Sequence, residues 1–205
     1  MVAPFHLRAG DDAPIQQSST TCGSASLTVA RMLVDPSLAQ WIRDGVADGA
    51  PRPDLRRPAE RFAAHEQLVA GRTNGLFGPG GLQLPWPRAL GTPPWGGRAE
   101  LEHGAALPGS RYSVSCFRFG GFARLEHAYA LLCQRVSVGR PALLYVGNAW
   151  LPRHVVLVLA SKAGGLDVYE PSAGNVVTIP EGPFVERRLH VAGWDLPWAA
   201  VWPRP

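Results

Sequence analysis

Cys22, His154, Glu170 and Gln16 are the residues of this 205-residue chain whose types and placement point to chemistry. A cysteine becomes nucleophilic when its thiolate is stabilised, and a helix start supplies this through its dipole and unpaired backbone N–H groups. Cys22 stands where small polar residues give way to a helical period. Ala25, Val29, Met32 and Leu33 recur on one face before Asp35 and Pro36 stop the run. Gly23 beside it allows a substrate backbone to come close. Gln16 lies on the segment leading into the helix. Its amide can donate, together with the Cys22 N–H, to the oxyanion of a tetrahedral intermediate. Gln17 is a second candidate, and spacing favours Gln16. A lone cysteine at a helix start is often structural; the adjacent glycine and glutamine favour the reactive reading.

The partner groups lie in the second half. Residues 153–160 read as a buried strand opened by His154, a rim position where imidazole faces a cleft while its neighbours fill the core. A turn at Gly164 and Gly165 leads to a strand that closes on Glu170 before Pro171. If the two strands form a hairpin, Glu170 reaches the end that carries His154. It can then accept a bond from the imidazole and fix its tautomer, the third role in a Cys-His-acid set. Asp167 is an alternative acid, but its mid-strand place reads as a solvated face, and Asn148 reads as a turn former. Cys133 falls on the apolar side of a helix and Cys116 in a strand, so both read as buried packing residues. Three cysteines cannot all pair within one chain, which leaves a free thiol as the default. There is no CxxC, and His6, His65, His103, His127 and His190 lack a ligand spacing such as HxxxH. Neither a metal nor an organic cofactor is expected.

The elements that position these groups follow from periodicity. Helices are expected at 21–33, 37–43, 59–70 and 122–136, and strands at 112–119, 141–146, 154–160, 166–169, 176–179 and 198–202. Ser172 to Asn175 reads as a second hairpin turn, and residues 1–15 as an irregular leader. Helices first and antiparallel strands second make an α+β layout, in one domain over 1–205. Residues 71–110 are rich in Gly, Pro and Trp, which excludes a long helix or central strand there. Phe77, Trp86 and Trp95 suggest a loop packed on the body and lining a cleft; a poorly ordered insertion is the alternative.

Composition narrows the function classes. A hydrophobic fraction of 46% with 18% charged residues describes a folded chain. The net charge of +4 comes from scattered arginines, such as Arg56-Arg57 and Arg187-Arg188, without the dense stripe that nucleic acid demands. No apolar run approaches the ~20 residues of a membrane span. Nor does the start resemble a signal peptide, so the expected address is cytoplasmic, or secreted or delivered if the chain is part of a longer one. Oligomeric state is left open.

Four pieces in order complete the reading. These are Gln16-x5-Cys22-Gly23-Ser24-Ala25-Ser26-Leu27, Gly139-Arg140-Pro141 before a strand, His154 opening the next strand, and Tyr169-Glu170-Pro171. This order resembles the papain-like cysteine peptidases, in particular the bacterial ones that process double-glycine leader peptides, and their stand-alone relatives. The likeness covers about 40 residues at the front and 70 at the back, and leaves 51–110 unmatched. It implies a papain-like α+β fold, with the nucleophile at a helix start packed against a C-terminal antiparallel sheet. It also implies Cys22 as nucleophile, His154 as base, Glu170 as the third member and Gln16 at the oxyanion. Glu170 stands where that family usually has Asp, and Ser24 where it usually has Pro. The expected activity is cleavage of a peptide or protein amide bond through a thioacyl-enzyme. A transamidase, peptide cyclase or deamidase on the same fold, or an inactive peptide-binding domain, are the alternatives.

Overall fold

A computed structural model describes residues 5–46, 49 and 52–205. The first four residues of the leader, and Pro51 at the head of the unmatched middle, lie outside the described residues. Three helices come first: α1 (Cys22–Val34), α2 (Pro36–Asp44) and α3 (Pro58–Asn74). Asp35 explains the sharp corner between the first two. Its carboxylate accepts the Leu38 N–H at 3.0 Å and so caps α2, while Pro36 supplies a preset first helical residue.

A two-residue hairpin, β1 (Phe77–Gly78) and β2 (Gly81–Leu82), and a short helix α4 (Pro94–Glu100) occupy the Gly/Pro/Trp segment. That segment is fastened to α3. Gln83 Nε2 donates to the carbonyls of Arg72, Thr73 and Gly75, which would otherwise be unpaired at the helix end. Arg72 grips the buried Glu100 with two bonds of 2.6 and 2.9 Å. Gly96 lets α4 sit directly on α3, because a Cβ there would lie 2.4 Å from the Thr73 carbonyl oxygen. Gly and Pro in this stretch serve close packing, which is why composition alone concealed a helix.

The remaining elements are β3 (Tyr112–Cys116), α5 (Phe122–Arg135), β4 (Ala142–Gly147), β5 (Pro152–Lys162), β6 (Gly165–Glu170), β7 (Asn175–Ile179), α6 (Glu181–Val185) and β8 (Leu196–Pro203). They build one antiparallel sheet of order β3-β8-β4-β5-β6-β7. The α+β layout expected from the sequence is thus present, with helices at the front and an antiparallel sheet at the back. Strand alternation splits the core. Leu143, Tyr145, Val155, Leu157 and Tyr169 face α1, α2 and α3, whereas Leu144, Val146, Val156, Val158 and Val168 face Leu125 and Leu132 of α5 and Phe184 of α6. A second covering layer was not expected. The unbroken apolar runs of β4 and β5 are the pattern of strands buried on both sides.

Two readings of single residues are corrected. Cys116 is exposed, because β3 is the sheet's edge, pairs with β8 alone and loses cover toward its C-terminal end. Asp167 is buried, since Thr178 Oγ1 donates to it at 2.9 Å and Lys162 Nζ pairs with its other oxygen. The leader is not slack either. Gly10 N–H donates to Val176 O and Val176 N–H to Asp11 O, so the leader covers the β7 edge. It continues with Ala13 N–H on Gly174 O at 2.7 Å and Gln16 N–H on Pro171 O at 2.8 Å.

Candidate active site

Cys22 is the first residue of α1 and 4% exposed. Thr21, at the N-cap, makes no side-chain cap bond, which leaves first-turn N–H groups available beside the sulfur. Ser26, one turn further on, ties the helix to the sheet through the Val155 carbonyl. His154 lies near the start of β5 and Glu170 ends β6. These strands pair antiparallel with Leu157 opposite Tyr169, so both residues come to one end of the sheet.

There His154 Nε2 and Glu170 Oε1 are 2.6 Å apart, and both side chains are buried. Glu170 curls back over the turn that follows it. Oε1 also accepts the Ser172 N–H at 2.8 Å and the Ser172 hydroxyl at 2.7 Å, and Oε2 accepts the Ala173 N–H at 2.7 Å. Burial alone would lift the Glu170 pKa, but these bonds, that from His154 first, outweigh it and hold the carboxyl down at about 2. Nε2 bound to a carboxylate carries hydrogen, which leaves Nδ1 as the imidazole nitrogen for Cys22. Burial would likewise lower the His154 pKa; hydrogen bonds to the Cys22 sulfur and to Glu170 overcome it and raise the value to about 9. Thiol, imidazole and carboxylate therefore stand in series. A centre of that kind can carry a nucleophile, a proton shuttle and an orienting charge.

Gln16 is held by its backbone next to Glu170, through Pro171. Its Nε2 donates to Ser18 O at 2.9 Å, which commits one amide hydrogen and leaves the second free, while Oε1 is buried without a partner. Gln17 turns its amide onto the Ile15 carbonyl and is exposed. Asn148 closes a turn, its Oδ1 accepting the Trp150 and Leu151 N–H groups. His65 packs between helices against the Thr28 hydroxyl, and burial first of all drives its pKa down to about 4.

Two residues near the site escaped the sequence reading. Tyr145 is buried with its hydroxyl unpaired and within electrostatic reach of Cys22. Glu66 is fully buried on α3, where Phe62, Val69 and Thr73 make up the inward stripe. An acidic residue at an i, i+4 position of an apolar stripe was the available signal. A polar cavity of about 200 Å³ lies between the start of α1 and α3, lined among others by Ser18, Thr20, Thr21, Ser24, Gln67 and Arg88; Cys22 and His154 are not part of its lining.

Gly23 has a different reason from the one expected. It is buried, and a Cβ there would lie 2.6 Å from both Cβ and Oγ1 of Thr92, so the glycine admits the Gly/Pro/Trp segment. Gly23→Ala is expected to cost about 1–3 kcal/mol by overpacking and to lower reactivity at Cys22. Thr92→Gly in the same chain relieves the clash and restores part of both. Thermal melts and iodoacetamide labelling of the single and double variants check this; a harmless Gly23→Ala means that Thr92 yields freely.

No protein-family model matches the chain, and no curated protein matches it. Among solved structures, the Pseudomonas avirulence protein AvrPphB superposes with a TM-score of 0.47 at 10% identity, over 92% of this chain and 95% of that one. At that identity no residue correspondence follows from the superposition.

Proposed function

We propose that the chain is a papain-like cysteine peptidase acting on a peptide or protein. The observation that carries this reading is the series Cys22–His154–Glu170, with the sulfur at an uncapped helix start. Cys22 Sγ attacks the carbonyl carbon of the scissile amide. The oxyanion that forms takes hydrogen bonds from the Cys22 N–H and the free Gln16 amide hydrogen. As the C–N bond breaks, His154 passes its proton to the leaving amine. Water then attacks the thioester while His154 accepts a proton, and the carboxylate product leaves with the thiol restored. Glu170 keeps the imidazole oriented throughout. The finer proposal, which rests on the order of sequence motifs alone, is a peptidase of the double-glycine leader type or one of its stand-alone relatives.

Cys116 supplies an internal control, because it is an exposed thiol in the same molecule. At mildly acidic pH, iodoacetamide is expected to alkylate Cys22 faster than Cys116 although Cys22 is far less accessible, since the sulfur of Cys22 faces a protonated imidazole. Peptide mass spectrometry of the adducts decides it. Preferential labelling of Cys116 would sink the reading.

The same pairing makes stability depend on pH. His154 is raised above its ordinary 6.5, so its contribution is complete below pH 6.5 and is lost as pH rises through about 9. Glu170 is depressed, so its contribution is complete above pH 4.5 and is lost as pH falls through about 2. The melting temperature is expected to fall from pH 6.5 to 9.5, and His154→Gln should flatten that slope. Parallel slopes in the two proteins would show that the imidazole is not coupled to folding.

A further inference from the structure

We propose that Glu66 is a positioning residue that holds the 16–21 loop in the shape required for oxyanion stabilisation, an inference that rests on the peptidase reading above. Glu66 is 0% exposed, and no Lys or Arg forms an ion pair with it among the described residues. Removing a carboxylate from water without a counter-ion costs several kcal/mol unless hydrogen bonds compensate. The compensation comes from the loop that precedes the nucleophile. The Gln17 N–H points at both carboxylate oxygens, at 3.2 and 3.4 Å, and the Thr21 hydroxyl lies against the same group.

These two contacts bracket the loop. Gln17 follows the candidate oxyanion amide, and Thr21 precedes Cys22 as the N-cap of α1. The loop's other fastenings are to the turn after β6, where the Gln16 N–H bonds Pro171 O, or internal, where Gln16 Nε2 bonds Ser18 O and the Thr21 hydroxyl shares its single hydrogen between Ser18 O and the Glu66 carboxylate. Glu66 is therefore the buried anchor between α3 and this loop. An apolar side chain would fill the same place on the helix stripe at no desolvation cost, but it would release the Gln17 N–H. Gln17 is an exposed residue, so its freed N–H turns to water, and the loop moves away from α3 as it does so. Such movement carries the Gln16 amide away from the oxyanion while the Cys22–His154–Glu170 series stays in place.

Two reactions of the full chain separate this role from a merely structural one. Acylation of Cys22 by p-nitrophenyl acetate passes through a tetrahedral oxyanion, in which the sulfur bonds to the acetyl carbon and p-nitrophenolate leaves. Alkylation by iodoacetamide is a direct displacement of iodide and forms no oxyanion. Both adducts are followed at Cys22 by peptide mass spectrometry. Glu66→Ala is expected to slow acylation by about 10²-fold, the scale of losing one oxyanion donor, while changing alkylation by less than about three-fold. Glu66→Gln, which keeps one acceptor for the Gln17 N–H, should retain most of the acylation rate. Glu66→Ala added to Gln16→Ala should cost nothing further, because the one acts through the other. If Glu66→Ala does not fold, Thr21→Val carries the test, with a loss of about three- to ten-fold in acylation only.

Acylation at the wild-type rate in Glu66→Ala or, where that does not fold, in Thr21→Val, or equal losses in both reactions, overturns the inference. A wild-type Cys22 that neither acylates nor alkylates faster than free cysteine overturns the peptidase reading instead, so the two failures are told apart.

Discussion

Cys22→Ala is expected to lose on the order of 10⁴-fold or more in amide turnover, measured as kcat/KM on any peptide that the wild type cleaves. Among the described residues neither other thiol can take its place: Cys116 is exposed on the sheet's edge strand, and Cys133 sits on α5, half-buried against the core. Cys22→Ser is the sharper version of the experiment. It keeps the volume, the helix start and a hydrogen bond to the imidazole, so its fold should match the wild type within about 1 kcal/mol. An alcohol ionises far less readily than a thiol, so turnover should still collapse. In both variants, alkylation at Cys116 should continue unchanged while the Cys22 adduct disappears. A variant that keeps a tenth of wild-type turnover would remove Cys22 from the mechanism, whatever its labelling shows. Loss of turnover together with loss of the folded circular dichroism signal would point to a structural role for the sulfur.

Much of this arrangement is encoded at element boundaries, and boundaries are local. Cys22 starts a helix, His154 lies near the start of a strand, and Glu170 ends the next strand before a proline. The hairpin that joins the last two spans a short stretch of chain, so their meeting at one end of the sheet was legible from turn signals alone. What stayed hidden depends on contacts between distant segments. Gly23 answers to Thr92, and the leader answers to the edge of β7. Neither relation leaves a mark at either position. Cys116 and Asp167 were misread for a similar reason, since period-2 patterning does not say which strand will be the edge or which face receives a helix. Continuous apolar runs in β4 and β5 did carry that information, because only strands covered on both sides can be apolar throughout. Glu66 was legible in principle, as an acid set in the inward stripe of α3. Its meaning required knowing that the loop before Cys22 lies against it.

Glu170 variants are expected to show the second largest effect, and to test the departure from the aspartate of the resembling family. Glu170→Ala leaves the buried His154 without its acceptor and frees the Ser172 and Ala173 N–H groups at once. The expected cost is about 3–5 kcal/mol in stability, the scale of breaking a buried pair from one side. Turnover should fall by about 10²–10⁴-fold, because nothing then selects the imidazole tautomer that presents Nδ1 to the sulfur. Glu170→Gln separates charge from shape. An amide of the same size keeps one acceptor but sets its NH₂ against either the imidazole N–H or the turn's own donors, so one of those bonds must be lost. The carboxylate also helps to hold the His154 proton, so removing it should move the alkaline limb of the pH–rate profile below about 9. Glu170→Asp is the informative intermediate. One methylene shorter, it cannot hold the 2.6 Å bond to His154 and the bonds across the Pro171 to Gly174 turn together. A loss of roughly ten-fold with the alkaline limb displaced in the same direction is expected. If all three variants kept both the rate and the limb, the carboxylate would only staple the turn. The longer acid is then best understood through that turn: Glu170 reaches the imidazole because its side chain is looped back over the residues that follow it, so the same bonds that fold the turn also aim the oxygen.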